Sequence, residues 1–249
     1  GQGVGGAGND LTVTGNLNLD GAVTNVADLL VTGTSDLGAN VDTSGSQTYT
    51  GAVALSGGDR TLTGSTVSLD GGVTGGGNAL SVAGNAEIGG DVTGVSTLSV
   101  SGNTMLAADV TTSGAQSYGD AAGDSVTIAG PVSLSTTDSA VSFTGAVDGD
   151  SDVTSADTLT ISAGTGTVSF GGAVGSTDPL QSLTVTAGLT EINGGSVSTT
   201  GNQTYNSNVS LGADANLTAS LVNLGQGVGG AGNDLTVTGN LNLDGAVTN

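Results

Sequence analysis

Apolar and polar residues alternate in triplets along the whole chain. "LTV" at 11, "LLV" at 29, "QTY" at 47, "TLT" at 61 and "LSV" at 80 form one series. "LNL" at 17, "VAL" at 53, "VSL" at 67, "VSF" at 141 and 168 and "VNL" at 222 form a second. A third inward position often follows, as at Val23, Val41, Val73 and Val92. Alternation over three residues predicts a short strand with one face on a core. Gly15, Gly33, Gly51, Gly84 and Gly102 punctuate the triplets, with Asn16, Asn85 and Asn103 beside them. Both residue types tolerate the left-handed backbone of sharp turns. No segment carries a helical period of any length.

Three short strands in about 18–19 residues make one coil of a parallel β-helix. The crossover rule for parallel strands makes that helix right-handed. The expected fold class is therefore all-β, a right-handed parallel β-solenoid. Only 13 residues separate Tyr49 from Leu62, which predicts that one coil in four is short and lacks its third strand. Counting or discounting those coils gives about 9–12 coils in 224 residues, and a rise of roughly 43–58 Å at about 4.8 Å per coil.

The period of 224 comes from the ends. "GQGVGGAGNDLTVTGNLNLDGAVTN" occupies 1–25 and recurs without a substitution at 225–249. Residues 1–224 read as one full repeat and 225–249 as the start of the next, in a longer tandem array. Inside the period, "VDTSGSQTY" (41–49), "VTTSGAQSY" (110–118) and "VSTTGNQTY" (197–205) share one pattern and divide it into sub-repeats of about 69, 87 and 68 residues. Gln47, Gln116 and Gln203 each precede a Tyr by two positions, so amide and phenol face the same way. A buried amide needs partners, and ladders of stacked amides are the expected source.

Composition narrows the picture. With 47 Gly, two Phe, three Tyr and no Trp, a thick core lacks its usual filling, whereas a thin stacked core does not. The hydrophobic share of 35% is too high for a simple disordered tract. Asp and Glu number 22 against one Arg, with no Lys or His, for a net charge of −21. That charge excludes nucleic acid as a partner and keeps separate rods apart. The absence of Cys excludes disulfides and thiolate metal sites. No run approaches the roughly 18 apolar residues of a membrane helix, so no membrane insertion is expected in this segment.

Three motifs invite chemistry. "GQGVGG" places Gly1, Gly3 and Gly6 as in a dinucleotide loop, but a strand triplet follows where a helix is required. "GGAGNDLTV" (5–13) approaches a calcium nonapeptide, with its apolar residues at the wrong positions. "DGDSDVTSAD" (148–157) is sharper: Asp148, Asp150 and Asp152 alternate as in a calcium loop, with Asp157 beyond. It lacks the glycine at the sixth position (Val153) and the acid at the twelfth (Leu159). Asp148, Asp150, Asp152 and Asp157 are thus the candidate metal residues, with Ca²⁺ the candidate ion and no cofactor required. With Arg60 the sole basic side chain, a lyase site lacks its base; hydrolysis by paired carboxylates at Asp148–Asp157 is the remaining formal route, and the chain is read as a non-enzyme.

The stretches "TTSGAQSYGDA…VTI" and "TTGNQTYNSNVSLGADANLT" resemble repeats of giant filamentous-haemagglutinin-like bacterial surface proteins. The resemblance implies a long β-helix, exported and displayed at the cell surface as a fibre or adhesin. The expected function is a structural one, the shaft of an extracellular polyanionic fibre whose partners are further copies end to end. The alternative is an adhesin that binds carbohydrate or another cell, such as surface glycans, through the long loops at 118–161 and 161–185.

Overall fold

The computed structural model describes residues 2–152 and 156–248. Its described residues form strands and turns with no helix, and every strand pairing is parallel. The chain winds as a β-solenoid of about 12 turns. Each turn visits three faces. On the first, Val4, Val23, Val41, Leu62, Val82, Val100, Tyr118, Phe143, Phe170 and Ile192 stack in register. The second runs through Val13, Val31, Tyr49, Leu69, Ile88, Leu106 and Ile128, and reaches Val237 by way of Val147, Val174, Val197 and Leu217. The third runs from Leu17–Leu19 past Val53, Val110, Ile161 and Tyr205 to Leu243.

The triplet rule explains each rung. In Leu98–Val100, Val110–Thr112 and Gln47–Tyr49 the outer two side chains are buried and the middle one is turned outward. Val, Leu and Ile thereby line a narrow core, each burial being worth about 1.5–3 kcal/mol. Next-door neighbours in that core lie a whole coil apart in sequence.

From Val13 to Val237, its equivalent 224 residues on, the second ladder takes eleven steps. The count falls within the expected nine to twelve, but the short coil is absent. "TLT" at 61 does not sit above "QTY" at 47. Leu62 rests on Val41 of the first face, and Val67–Leu69 is what covers Gln47–Tyr49. The strand Arg60–Leu69 passes from one face to the next without a break and carries two triplets. A triplet pattern looks the same on every face, so series drawn by residue type mixed the faces.

The sharing of a strand between faces depends on glycine at the corner. Gly84 turns the equivalent strand Leu80–Ile88 with φ of +142°, and a Cβ there would lie 1.8 Å from the carbonyl oxygen of Gly64 in the coil below. Gly239 repeats the arrangement over Ala219, with φ of +127° and 1.9 Å.

The three nonapeptides now fall into place. Gln47–Tyr49 lies on the second face, Gln116–Tyr118 on the first and Gln203–Tyr205 on the third. Among the described residues, eleven strand segments separate each from the next. Eleven segments on a three-faced coil are three and two-thirds turns, so each sub-repeat is rotated by one face from the last. Only after three sub-repeats, eleven whole turns, does the same sequence return to the same face. The period of 224 residues is the one that closes this rotation.

Rotation also removes the expected amide ladders, since no two of these Gln share a face. Each makes a local network instead. The Tyr49, Tyr118 and Tyr205 hydroxyls donate to Oε1 of Gln47, Gln116 and Gln203 at 3.0, 3.0 and 3.1 Å. The amide nitrogens donate within the motif to the carbonyls of Val41, Val110 and Val197, and onward to Thr63, Ser135 and Thr218 of the next coil. Burial raises all three phenol pKa values far above the usual tyrosine range.

Tyr118, Phe143 and Phe170 stack on consecutive coils, with ring centroids 5.4 and 5.3 Å apart. Phe143 is covered on both sides and 1% exposed. Its replacement by Ala should cost about 3–5 kcal/mol, the usual loss for a large buried ring. Urea titration checks the size of the loss, and hydrogen exchange should place it in the coils around 118–170.

Candidate functional site

The acids concentrate at the corners, where one face hands the chain to the next. There a short carboxylate or amide can reach the backbone directly above it. Asp28 Oδ1 accepts from the Ser46 amide at 2.6 Å, and the Ser46 hydroxyl donates to the same oxygen at 2.9 Å. Asp59 accepts from Ala79 N at 2.8 Å, Asp109 from Ser133 N at 2.8 Å, Asp138 from Thr165 N at 2.8 Å and Asp214 from Asp234 N at 2.9 Å. Asn16, Asn40, Asn85 and Asn208 do the same for Thr34, Thr61, Asn103 and Gly227. Many side chains that read as a solvated acidic surface thus satisfy amides that the ladders leave over at the turns. The signal for this was available, because Asp10 and Asp28, Asn85 and Asn103, and Asp91 and Asp109 recur at the coil spacing of 18 residues.

The candidate metal residues lie in the widest coil. Asp148 projects outward from the strand Ala146–Gly149 and accepts from Thr177 N at 2.9 Å. Asp150 accepts from Asp152 N at 2.9 Å, a tight local turn. Asp157 is buried. It is 7% exposed, and its Oδ1 accepts from Gly130 N at 2.9 Å, tying the start of the strand Thr158–Ser162 to the corner below. Val153, the residue that broke the calcium-loop pattern, lies outside the described residues. Asp150, Asp152 and Asp157 border a cavity of about 320 Å³ with Asp178, Gln181 and Thr200. Asp178 carries no motif and comes from the next coil's loop, so the sequence reading missed it. Among the described residues, no three acidic groups are arranged to hold a metal ion.

Two other motifs resolve simply. The strand Val4–Val13 takes in Gly5 and Gly6 of "GQGVGG" and all of "GGAGNDLTV", so a strand stands where the dinucleotide loop requires a helix. Arg60 is buried and bonded to backbone: Nε donates to Leu37 O at 2.7 Å, Nη1 to Asp59 O at 2.6 Å and Nη2 to Ser56 O. The one cation of the chain is thus a clamp between coils. No described helix is long and apolar enough to cross a membrane.

Comparison with protein-family models finds no match, and comparisons with curated proteins and with solved structures find none. The architecture, a parallel β-solenoid of about 12 turns, is consistent with β-helix repeat proteins.

The Ser46 amide, and after it the Ser46 hydroxyl, hold the Asp28 carboxyl below its ordinary value of 3.8. A depressed folded value means that this contribution to stability is present above the unfolded pKa and lost as pH falls through the folded one. NMR titration should show Asp28 with a midpoint below 3.8. In Ser46→Ala the midpoint should move part of the way back, because the larger cause, the backbone amide, remains.

Proposed function

We propose that the chain is a segment of a structural shaft, a polyanionic β-solenoid fibre displayed outside the cell. The observation that carries this reading is the eleven-turn closure. A period that returns every triplet to its own face lets a following copy continue all three ladders in register, with no adapter. The two copies of the 25-residue segment already behave so. Val4, Val13 and Leu19 occupy the same three ladders as Val228, Val237 and Leu243, and Ala7–Gly8 and Ala231–Gly232 make the same left-handed turn. Dense negative charge at the corners supports a fibre that stays apart from its neighbours in physiological salt, within a screening length of about 8 Å. The partners on this reading are further copies, end to end, and no chemistry is catalysed.

A second reading keeps one specific observation. The loops at 118–161 and 161–185, foreseen as the adhesive ones, do meet: Asp150, Asp152 and Asp157 of the first share a cavity with Asp178 and Gln181 of the second. Carboxylates and an amide around a cleft suit the hydroxyls of a surface glycan.

The shaft reading is tested on a chain carrying two periods, imaged by electron microscopy beside a chain carrying one. The rod should lengthen by about 53 Å, eleven coils at about 4.8 Å. Equal lengths, or two rods side by side, would remove the shaft. For the second reading, a glycan array should show binding that Asp178→Ala and Gln181→Ala abolish; an unchanged array would dispose of it.

A further inference from the structure

Asp178–Pro179 is the one Asp–Pro pair in the chain; the other proline, Pro131, follows Gly130. An Asp–Pro bond is unusually labile in acid. The Asp carboxylate can close a ring on its own carbonyl carbon, and the proline nitrogen is a good leaving group. The bond lies on the cavity shared by the two widest coils, and the coils on either side pin it. From below, Gly149 N donates to the Asp178 carbonyl oxygen at 2.8 Å, and the Asp157 carbonyl accepts from Gln181 N at 2.8 Å. From above, Thr200 N and Gly201 N donate to the carbonyls of Leu180 and Gln181 at 2.9 and 2.8 Å. Pro179 has no N–H of its own to commit. The amide on the Asp178 carbonyl also stabilises the negative charge that gathers on that oxygen during attack.

We propose that the fold promotes hydrolysis of the Asp178–Pro179 bond, a self-processing event that occurs once and turns over no other substrate. The Asp178 carboxylate attacks its own carbonyl carbon, forming a C–O bond and a cyclic anhydride. The C–N bond to Pro179 breaks, and the departing nitrogen takes a proton from the acid form of a carboxyl on the cavity wall. Water from the open cavity then hydrolyses the anhydride, leaving a free α-carboxyl on Asp178 and a new amino terminus at Pro179. Asp157 is the proton donor. It is 7% exposed, and a Cβ on Gly149 would lie 2.7 Å from its Oδ2. Its carboxyl thus packs on the residue whose amide holds the Asp178 carbonyl, while its own carbonyl holds Gln181. Asp150 and Asp152 face the same cavity, Asp148 turns to Thr177 N, and the coil above contributes Thr200. The new prolinium is therefore born among opposite charges, which favours the product. Ladders bridge the break through Val147, Val174 and Val197 and through Leu159, Leu183 and Gln203, so the cut chain stays assembled. The inference is independent of the shaft reading.

The test holds the whole chain at a pH of about 4, where carboxylates and carboxylic acids coexist. One sample is folded in buffer and one unfolded in urea, with circular dichroism confirming each state. Denaturing gels and mass spectrometry follow the fragments that end at Asp178 and begin at Pro179. Cleavage should run about tenfold or more faster in the folded chain, the advantage of a held geometry. On a native gel the cut product should migrate with the uncut chain. Asp178→Ala should abolish the reaction and Pro179→Ala slow it in both states; Pro179 is exposed, so that variant keeps the fold. In Asp157→Asn the amide oxygen still accepts from Gly130 N, and the folded chain should lose most of its advantage while the unfolded rate is unchanged. Equal rates in the two states, or a slower folded chain, would leave only the ordinary acid lability of the bond and overturn the proposal. A folded Asp157→Asn chain cut as fast as the original would overturn the role of Asp157.

Discussion

The in-register parallel ladder is the interaction on which everything else depends. Each coil satisfies its backbone groups on the coil below and the coil above, so an open edge exists only at the two ends. Side chains then stack on side chains of the same kind, Val on Val and Phe on Phe. A single inward layer from three faces fills the space between. This is why a chain with two Phe and no Trp can still build a continuous core: the core is long, and never more than one triplet deep on any face.

The ladder imposes a second constraint at the corners. Backbone turns there leave amides without ladder partners, and the coil below must supply an oxygen within reach. Short Asp and Asn side chains do so, and glycine permits the close approach of one corner to the next. The acidity of the chain is in large part a consequence of this. Arg60 follows the same logic with the opposite sign, its donors ending on the Leu37 carbonyl of the coil below and on the Ser56 and Asp59 carbonyls of its own turn. Chemistry-bearing residue types are thus mostly absorbed by architecture. The cavity at Asp150, Asp157 and Asp178, where the widest coils meet, is the place where carboxylates gather around open space.

Repetition and rotation together give the fold its length logic. A sub-repeat of eleven strand segments does not fit a whole number of three-faced turns, so its nonapeptide appears on each face in succession. Three sub-repeats restore the starting face. The middle sub-repeat is longer by loops alone, since the number of segments is the same. Length between corners is free to vary, whereas the number of segments is not.

The triplet alternation by itself determined the strands, the parallel coil and the burial of the outer two residues, because period-two patterning is a local property of a pleated chain. It also determined that Gln and Tyr of the nonapeptides point the same way. It did not determine the face. "TLT" at 61 and "QTY" at 47 belong to different ladders although their patterns look alike, since all three faces ask for the same pattern. Nor could it show that Asp157 is buried against Gly130, or that Asp178 joins Asp150 across a coil boundary. Those contacts link residues a full turn or more apart, and their register depends on the length of every intervening corner. Strand and burial are written in neighbouring residues; face and site are settled only when the coils are stacked.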